Sequence, residues 1–178
     1  FKYNACDFCD DVLAETADIT VGDAWLPEYT NDSKGTNVIV VRNPIIHKIL
    51  EEARNEKIYL EELSSEKVYQ SQAGGFRHRR DGLAYRLYLK DQNNEWRPNK
   101  RVEPSNNLSK KRKKIYELRN QLSKESFKAY KVAENDKDFN SFIKYMDPLV
   151  KKYKKVNNPP FAKRVLRKIR REVSKIVK

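Results

Sequence analysis

The hydrophobic pattern in the first half of the chain predicts short strands and one amphipathic helix. Residues 18–23 (DITVGD) predict a short strand that ends in a turn, and the β-branched run NVIVV at 37–41 predicts a buried strand. Residues 57–63 alternate and predict another strand, so residues 37–63 indicate a compact α/β unit. Pro44 stands at a first helical position, and apolar residues follow it at helical spacing: Ile45, Ile46, Ile49, Leu50 and Ala53.

The pattern after Gly74 and Gly75, which predict a break, is helical and basic. Residues 76–90 have helical periodicity, and the polar residues 91–108 predict a loop. Two more helical patterns cover 109–133 and 136–155, and we expect Pro148 to kink or end the second. Their candidate inner positions are Ile115, Leu118, Leu122, Tyr130, Phe139, Phe142, Ile143, Met146, Leu149 and Val150.

These elements predict the fold class α/β, with a small α/β region followed by a mostly helical basic extension. We divide the chain into residues 1–75, a helical extension over 76–156, and a basic amphipathic helix over 157–178 that begins at the breaker NNPP. Hydrophobic residues make up 38% of the 178 residues, which is enough for a core although lean for this length. Met146 is the only methionine, so we expect the chain to be part of a longer protein.

Charge divides the chain into two different halves. Residues 1–75 hold 7 Lys/Arg and 14 Asp/Glu, a net charge of −7, whereas residues 76–178 hold 31 and 11, a net charge of +20. An acidic half followed by a strongly basic half indicates two functional regions. No run approaches the roughly 18 uncharged residues of a membrane-spanning helix. The two cysteines argue against a disulfide-stapled secreted scaffold and favour a reducing compartment.

Both cysteines, Cys6 and Cys9, form a Cys-x-x-Cys pair near the start of the chain. Such a turn directs two thiolates at one metal, and thiolates suit zinc and iron–sulfur clusters. A complete zinc site is disfavoured because His47 and His78 are not spaced as further ligands. A thioredoxin-type redox pair is disfavoured by the surrounding aspartates, which oppose thiolate formation. Two incidental buried cysteines are a further alternative.

The residues around the pair carry a more specific signal. Cys6, Cys9 and Asp11, followed by ADITVGDAW at 17–25, resemble the C-terminal region of the coenzyme F-420 hydrogenase/dehydrogenase beta-subunit family. Residues 32–43, Ser71-Gln72 and Arg79-Arg80 are also similar to that family. Arg86-Leu87 and residues 98–101 resemble the branch linked to polysaccharide gene clusters, and the resemblance extends over roughly residues 3–155.

The resemblance implies the C-terminal part of an iron–sulfur flavoprotein oxidoreductase. On this interpretation Cys6 and Cys9 ligate a [4Fe–4S] cluster, and the remaining ligands and most of the FAD surface belong to an upstream N-terminal domain of the same protein. Electrons would pass between flavin, cluster and a second carrier, for which coenzyme F-420 and ferredoxin both stay open. We expect this chain alone to be inactive.

Four residues after the pair are candidates for cofactor binding: Asp18, Gly22, Asp23 and Trp25. Gly22 would let the backbone pass close to a cofactor, and Asp23 would orient a loop at the cluster–flavin junction. The alternatives are structural. Gly22 would supply a positive φ in a turn, Asp23 would cap that turn, and Trp25 would lie in the core.

The basic half suggests a rival function, a non-enzymatic module that binds nucleic acid or an anionic membrane surface. Residues 110–114 and the last segment are rich in Lys and Arg, but the interleaved aromatic residues fit a helix core better than stacking platforms, so nucleic acid is the less favoured partner. The last segment fits a basic amphipathic helix on a membrane surface, and equally a solvated helix. We expect a cytoplasmic protein, with peripheral membrane contact through this helix as the alternative.

Overall fold

The computed structural model describes residues 2–30, 33–54, 56–158 and 166. The chain forms two units, one of Asn4–Asn106 and the other of Phe1–Tyr3 with Asn107–Lys178. The first contains a small sheet with short helices, and the second is helical. The predicted fold class, a small α/β region followed by a mostly helical extension, is confirmed. The three domain limits stay a prediction, and the predicted helix over 157–178 lies almost entirely outside the described residues.

The two strands predicted first are both present. After a single helical turn, α1 (Asn4–Asp7), come β1 (Ile19–Asp23) and β2 (Asn37–Val41). They pair antiparallel, with Ile19 opposite Val41 and Gly22 opposite Val38. The connection between them contains Gly35 at a φ of 80°, a left-handed conformation that favours glycine.

Helix α2 (Pro44–Ala53) follows β2 as predicted, and the predicted third strand is wrong. Asn43 caps α2 by accepting hydrogen bonds from the amides of Ile45 and Ile46. Residues 57–63 form no strand, and their one ladder contact is an isolated bridge between Arg54 and Ile58. Alternation alone cannot make a strand where no neighbouring strand offers a ladder. Helical spacing predicts one apolar face for α2, yet that face is not all buried, since Ile45 is exposed by 70% and Ile49 by 57%.

A run of short helices completes this unit. They are α3 (Ser65–Ser71), α4 (Ala73–Phe76), a π-helical segment (Arg77–Asp81) and α5 (Gly82–Gln92). The predicted break at Gly74 and Gly75 is wrong, because both residues lie inside α4. Helix α5 supplies much of the core of the unit through Leu83, Tyr85 and Leu87.

The second unit contains two long helices that pack against each other. Helix α6 (Lys110–Asp136) begins at the cap Ser109, and Lys137 ends it in a left-handed conformation with a φ of 52°. Helix α7 (Phe139–Asn157) begins at the cap Asp138 and continues through Pro148, so the proline does not end it. The buried residues of the pair include Ile115, Leu118 and Met146, as predicted.

Some predicted inner positions of the long helices are wrong. Tyr130 and Ile143 are exposed, and the side chain of Phe139 is exposed by 69%. A pair of helices covers only one stripe of each helix, so the wider apolar arc predicted from sequence is not all buried. No helix within the described residues is long and apolar enough to span a membrane.

Candidate functional site

The cysteine pair lies at the end of α1 and in the loop that follows it. Cys6 is on the helix and exposed, and Cys9 is half-buried two residues beyond the helix. Both are free thiols. Residues 8–18, which we call the cysteine loop, have no regular secondary structure. The loop folds back on itself, since the amide of Glu15 donates to Oδ1 of Asp11 over 3.1 Å.

Arg79 lies directly beside Cys9. Its Nη1 is 3.2 Å from the Cys9 Sγ and donates to it. The same nitrogen also donates to the backbone carbonyl of Asp11, and Cys9 Sγ is 3.7 Å from that carbonyl oxygen. Arg79 belongs to the π-helical segment, an irregularity that is common at functional sites. A guanidinium therefore faces a sulfur that the sequence nominates as a metal ligand.

Two further arginines hold backbone carbonyls, one in the same loop and one at the end of α1 just before it. Nε of Arg80 donates to the carbonyl of Asp10 over 2.9 Å, and its Nη2 contacts Oε1 of Glu15 over 2.8 Å. Arg86 is buried on α5, and its Nε donates to the carbonyl of Asp7 over 2.9 Å. Arginine suits this task because its fork of donors reaches several carbonyls in fixed directions.

Two acidic side chains of the loop, those of Asp10 and Glu15, are paired with cations from the loop after α5. Lys100 Nζ is 2.8 Å from Asp10 Oδ1, and Arg101 Nε is 2.9 Å from Asp10 Oδ2. Arg101 also forms a two-pronged contact with Glu15, at 2.5 and 2.9 Å. Hydrogen bonding from Lys100 holds the pKa of Asp10 below its ordinary value, and hydrogen bonding from Arg101 does the same for the pKa of Glu15.

The far end of the loop is anchored by Arg42, next to the end of β2. Its guanidinium donates to the carbonyls of Ala17 and Leu13 and to Oγ1 of Thr20, at 3.0 to 3.1 Å. Asp18 is exposed, and its Oδ1 accepts a hydrogen bond from Asn43 over 3.0 Å. Asp18 is thus tied to the cap of α2.

The other three candidates for cofactor binding lie at the end of β1. Gly22 is in the strand, and its backbone has no positive φ, so the turn interpretation of Gly22 is wrong. The carbonyl of Asp23 accepts from Nε2 of Gln72 over 2.8 Å, while the Asp23 residue itself is exposed. Trp25 is exposed by 65%, so the prediction that it lies in the core is wrong.

A concave surface of about 450 Å³ lies between β2, α2 and residues 59–63. Its walls combine aliphatic side chains, such as Val38 and Leu50, with polar ones, such as His47 and Glu51. It neighbours the end of β1 through Ala24 and contains neither cysteine. The surface is therefore separate from the cysteine loop.

Sequence reasoning found both cysteines but missed the role of the cationic side chains around their loop, which are Arg79, Arg80, Arg86, Lys100 and Arg101. All five stand in stretches that carry the family resemblance, Arg79-Arg80 and Arg86-Leu87 among them. The available signal was charge, because an aspartate-rich loop and an arginine-rich helix in one chain favour contact. The contact joins residues about seventy positions apart, so local patterns could not locate it.

The sulfur atoms of Cys6 and Cys9 are of the kind that ligates zinc and iron–sulfur clusters. They would supply two of the four ligands of such a site. Within the described residues, no group of three or more His, Cys, Asp or Glu side chains could hold a metal ion.

Comparison with known proteins gives one match. Residues 1–66 match a family model that describes the C terminus of the beta subunit of coenzyme F420 hydrogenase/dehydrogenase. The match includes the cysteine pair and all four candidates for cofactor binding, Asp18, Gly22, Asp23 and Trp25. It confirms the resemblance over residues 1–66. No curated protein and no solved structure matches the chain.

Proposed function

We propose that the chain is the C-terminal part of an iron–sulfur flavoprotein oxidoreductase that passes electrons between FAD, a [4Fe–4S] cluster and a second carrier. The family matched by residues 1–66 is one of redox enzyme subunits, which supports an oxidoreductase-related role. The observation that carries the finer proposal is the cysteine loop. Cys6 precedes this loop on α1 and Cys9 lies within it, and cationic side chains hold carbonyls and carboxylates of the loop and the carbonyl of Asp7 just before it.

Cys6 and Cys9 would provide two of the ligands. Cys6 is exposed, so a ligand set completed by another part of the protein has access to it. The remaining cysteines would belong to an N-terminal domain of the same protein, which is the main partner that we propose. The cluster would supply one-electron transfer at a potential set by burial and by hydrogen bonds to its sulfurs.

The chain's own residues position the loop rather than cleave bonds. Arg80 and Arg86 fix the carbonyls of Asp10 and Asp7, which holds the backbone on both sides of Cys9. Lys100 and Arg101 neutralise Asp10 and so reduce the negative charge beside Cys9. Electron transfer needs placement and a tuned potential, and these contacts serve both needs.

Asp18, Gly22, Asp23 and Trp25 would form the side of the site that meets the flavin. Trp25 presents an exposed ring that a planar cofactor could contact, and the exposed carboxylates of Asp18 and Asp23 lie on the same short strand region. The second carrier is coenzyme F-420 or ferredoxin. The cytoplasm is the compartment that we propose.

The experiment is an analysis of iron and acid-labile sulfide, with an absorption spectrum, on the full-length protein purified without oxygen. We expect iron and sulfide in near-equal amounts and broad visible absorption, lost in Cys6→Ser and Cys9→Ser because each removes one thiolate ligand. Ser126→Ala is the control, since it removes a hydroxyl from a buried residue of α6 whose side chain donates to the carbonyl of Ser123 within the same helix.

A colourless, iron-free protein that keeps its helical content would contradict the proposal. The basic residues over 76–178 would then be the leading feature, and binding to anionic vesicles or nucleic acid would be the function to test.

A further inference from the structure

We infer that Arg79 raises the reduction potential of the cluster that Cys9 would ligate. Arg79 would act on the cluster through this cysteine and is therefore a positioning residue. This inference rests on the proposed function. It concerns a residue whose guanidinium touches the sulfur, with Nη1 3.2 Å from the Cys9 Sγ.

The direction of the Arg79 side chain is fixed at both ends. Its backbone belongs to the π-helical segment between α4 and α5, and the Nη1 that meets the sulfur also donates to the carbonyl of Asp11. Since Asp11 follows Cys9 by two residues, the two contacts aim one nitrogen at a single point of the loop. Arg79 is an exposed residue, and these two contacts constrain where its guanidinium lies.

Arg79 differs from the neighbouring arginines in the groups with which it is paired. Arg80 is paired with Glu15, and Arg101 is paired with Asp10 and Glu15. Within the described part of the chain, Arg79 forms no ion pair with a carboxylate, and its bonds go to a sulfur and a carbonyl. Its positive charge is therefore directed at the sulfur of Cys9.

Hydrogen bonds and positive charge near a cluster sulfur stabilise the reduced form, because that form carries one more electron. Cys9 is half-buried, while its contact with Arg79 is exposed, so the effect operates at the surface of the described chain. Removal of Arg79 should therefore lower the potential. Because Arg80, Arg86, Lys100 and Arg101 still hold the loop, we expect the variant to keep the loop and the cluster.

The test is a potentiometric titration of the full-length protein with its cluster, followed by absorption and electron paramagnetic resonance. Arg79→Gln should shift the oxidised-to-reduced ratio at a fixed potential by about tenfold toward the oxidised form, which is about 59 mV for one electron. Arg79→Lys keeps the charge and should recover part of the shift.

The matched control is Arg80→Gln, which removes the same charge one residue away. Glu15 neutralises the charge of Arg80, and the guanidinium of Arg80 bonds to Asp10 and Glu15 and not to a cysteine. The potential should therefore shift clearly less in Arg80→Gln than in Arg79→Gln. Iron and sulfide are measured in every sample, so that the cluster content and the potential are known separately.

The outcomes separate the two proposals. A full cluster with an unchanged potential in Arg79→Gln, or equal shifts in Arg79→Gln and Arg80→Gln, would overturn the inference and leave the proposed function intact. Loss of iron from Arg79→Gln would assign Arg79 to cluster retention and would also overturn the inference. Absence of iron and sulfide from the wild-type protein would overturn both.

Discussion

At the scale of residues, the cysteine loop is a place where opposite charges meet. Asp10 and Glu15 stand in the loop, and both contact Arg101 from a distant part of the same unit. A single ion pair at the surface adds little to the free energy of unfolding. A network of charges that share partners and are partly buried adds more. The network thus joins the loop to the segment after α5.

Glu15 makes this network sensitive to acid. Hydrogen bonding from Arg101 lowers the pKa of Glu15 in the folded chain, so the folded state holds the proton less tightly than the unfolded state, where the pKa is about 4.3. The stabilisation is therefore complete above that value and is lost as the pH falls through the folded pKa. We expect Glu15→Gln to cost about 1 kcal/mol at pH 7 and less at acid pH.

The measurement is the free energy of unfolding in urea at neutral and acid pH for the wild type and Glu15→Gln. Glu52→Gln is the matched control, because the Glu52 carboxylate is exposed and lies 3.8 Å from Lys48. A difference between wild type and Glu15→Gln that stayed constant across this pH range would show that the carboxylate adds no acid-sensitive stability.

At the scale of elements, α4 contains two adjacent glycines with different surroundings. A Cβ at Gly75 would lie 2.9 Å from Cγ1 of Val12, whereas a Cβ at Gly74 would meet nothing within 4 Å. Val12 belongs to the cysteine loop, so Gly75 marks the point where the helix backbone approaches that loop closely. This approach explains the glycine at position 75, and nothing in the structure explains the one at position 74.

The two glycines give a paired prediction. Both alanine variants gain helix propensity equally, so the difference between them isolates the clash with Val12. We expect Gly75→Ala to be less stable than Gly74→Ala by about 1 to 3 kcal/mol, the usual cost of overpacking. Urea unfolding followed by circular dichroism measures this difference, and equal stabilities would mean that α4 and the loop are not in close contact.

At the scale of the whole molecule, the two units carry opposite net charges, and each unit has a core of its own. Asn4–Asn106 holds 14 Lys/Arg and 18 Asp/Glu, a net charge of −4, and the rest of the chain holds 24 and 7, a net charge of +17. Each unit has its own buried aliphatic residues, such as Leu83 and Leu87 in one, and Ile115 and Leu118 in the other. Neither set includes a cysteine.

The 178-residue chain should therefore fold without a metal. We expect its far-ultraviolet circular dichroism and thermal unfolding to be unchanged by a chelator, because burial of aliphatic side chains, and not ligation, stabilises both cores. The double variant Cys6→Ser, Cys9→Ser is the control and should behave like the wild type. A loss of helical signal on chelation, restored by metal, would contradict this expectation.

The sequence by itself determined the features that depend on neighbouring residues. β-branched runs predicted β1 and β2, helical periodicity predicted α2 and the long helices, and Pro44 placed a helix start correctly. The Cys-x-x-Cys spacing nominated the candidate ligands, and the surrounding motif indicated a resemblance that the family match confirmed over residues 1–66. These signals are legible because strand and helix periods and turn chemistry are local properties.

Only the tertiary structure decided which sequence patterns form secondary structure, which apolar residues are buried and which distant residues are in contact. Residues 57–63 alternate like a strand but have no strand beside them, and Trp25 and Ile45 are apolar yet exposed. The contact between Arg79 and Cys9 joins positions seventy residues apart. Pairing, burial and charge contacts of this kind depend on the path of the whole chain, and no window of neighbouring residues contains that path.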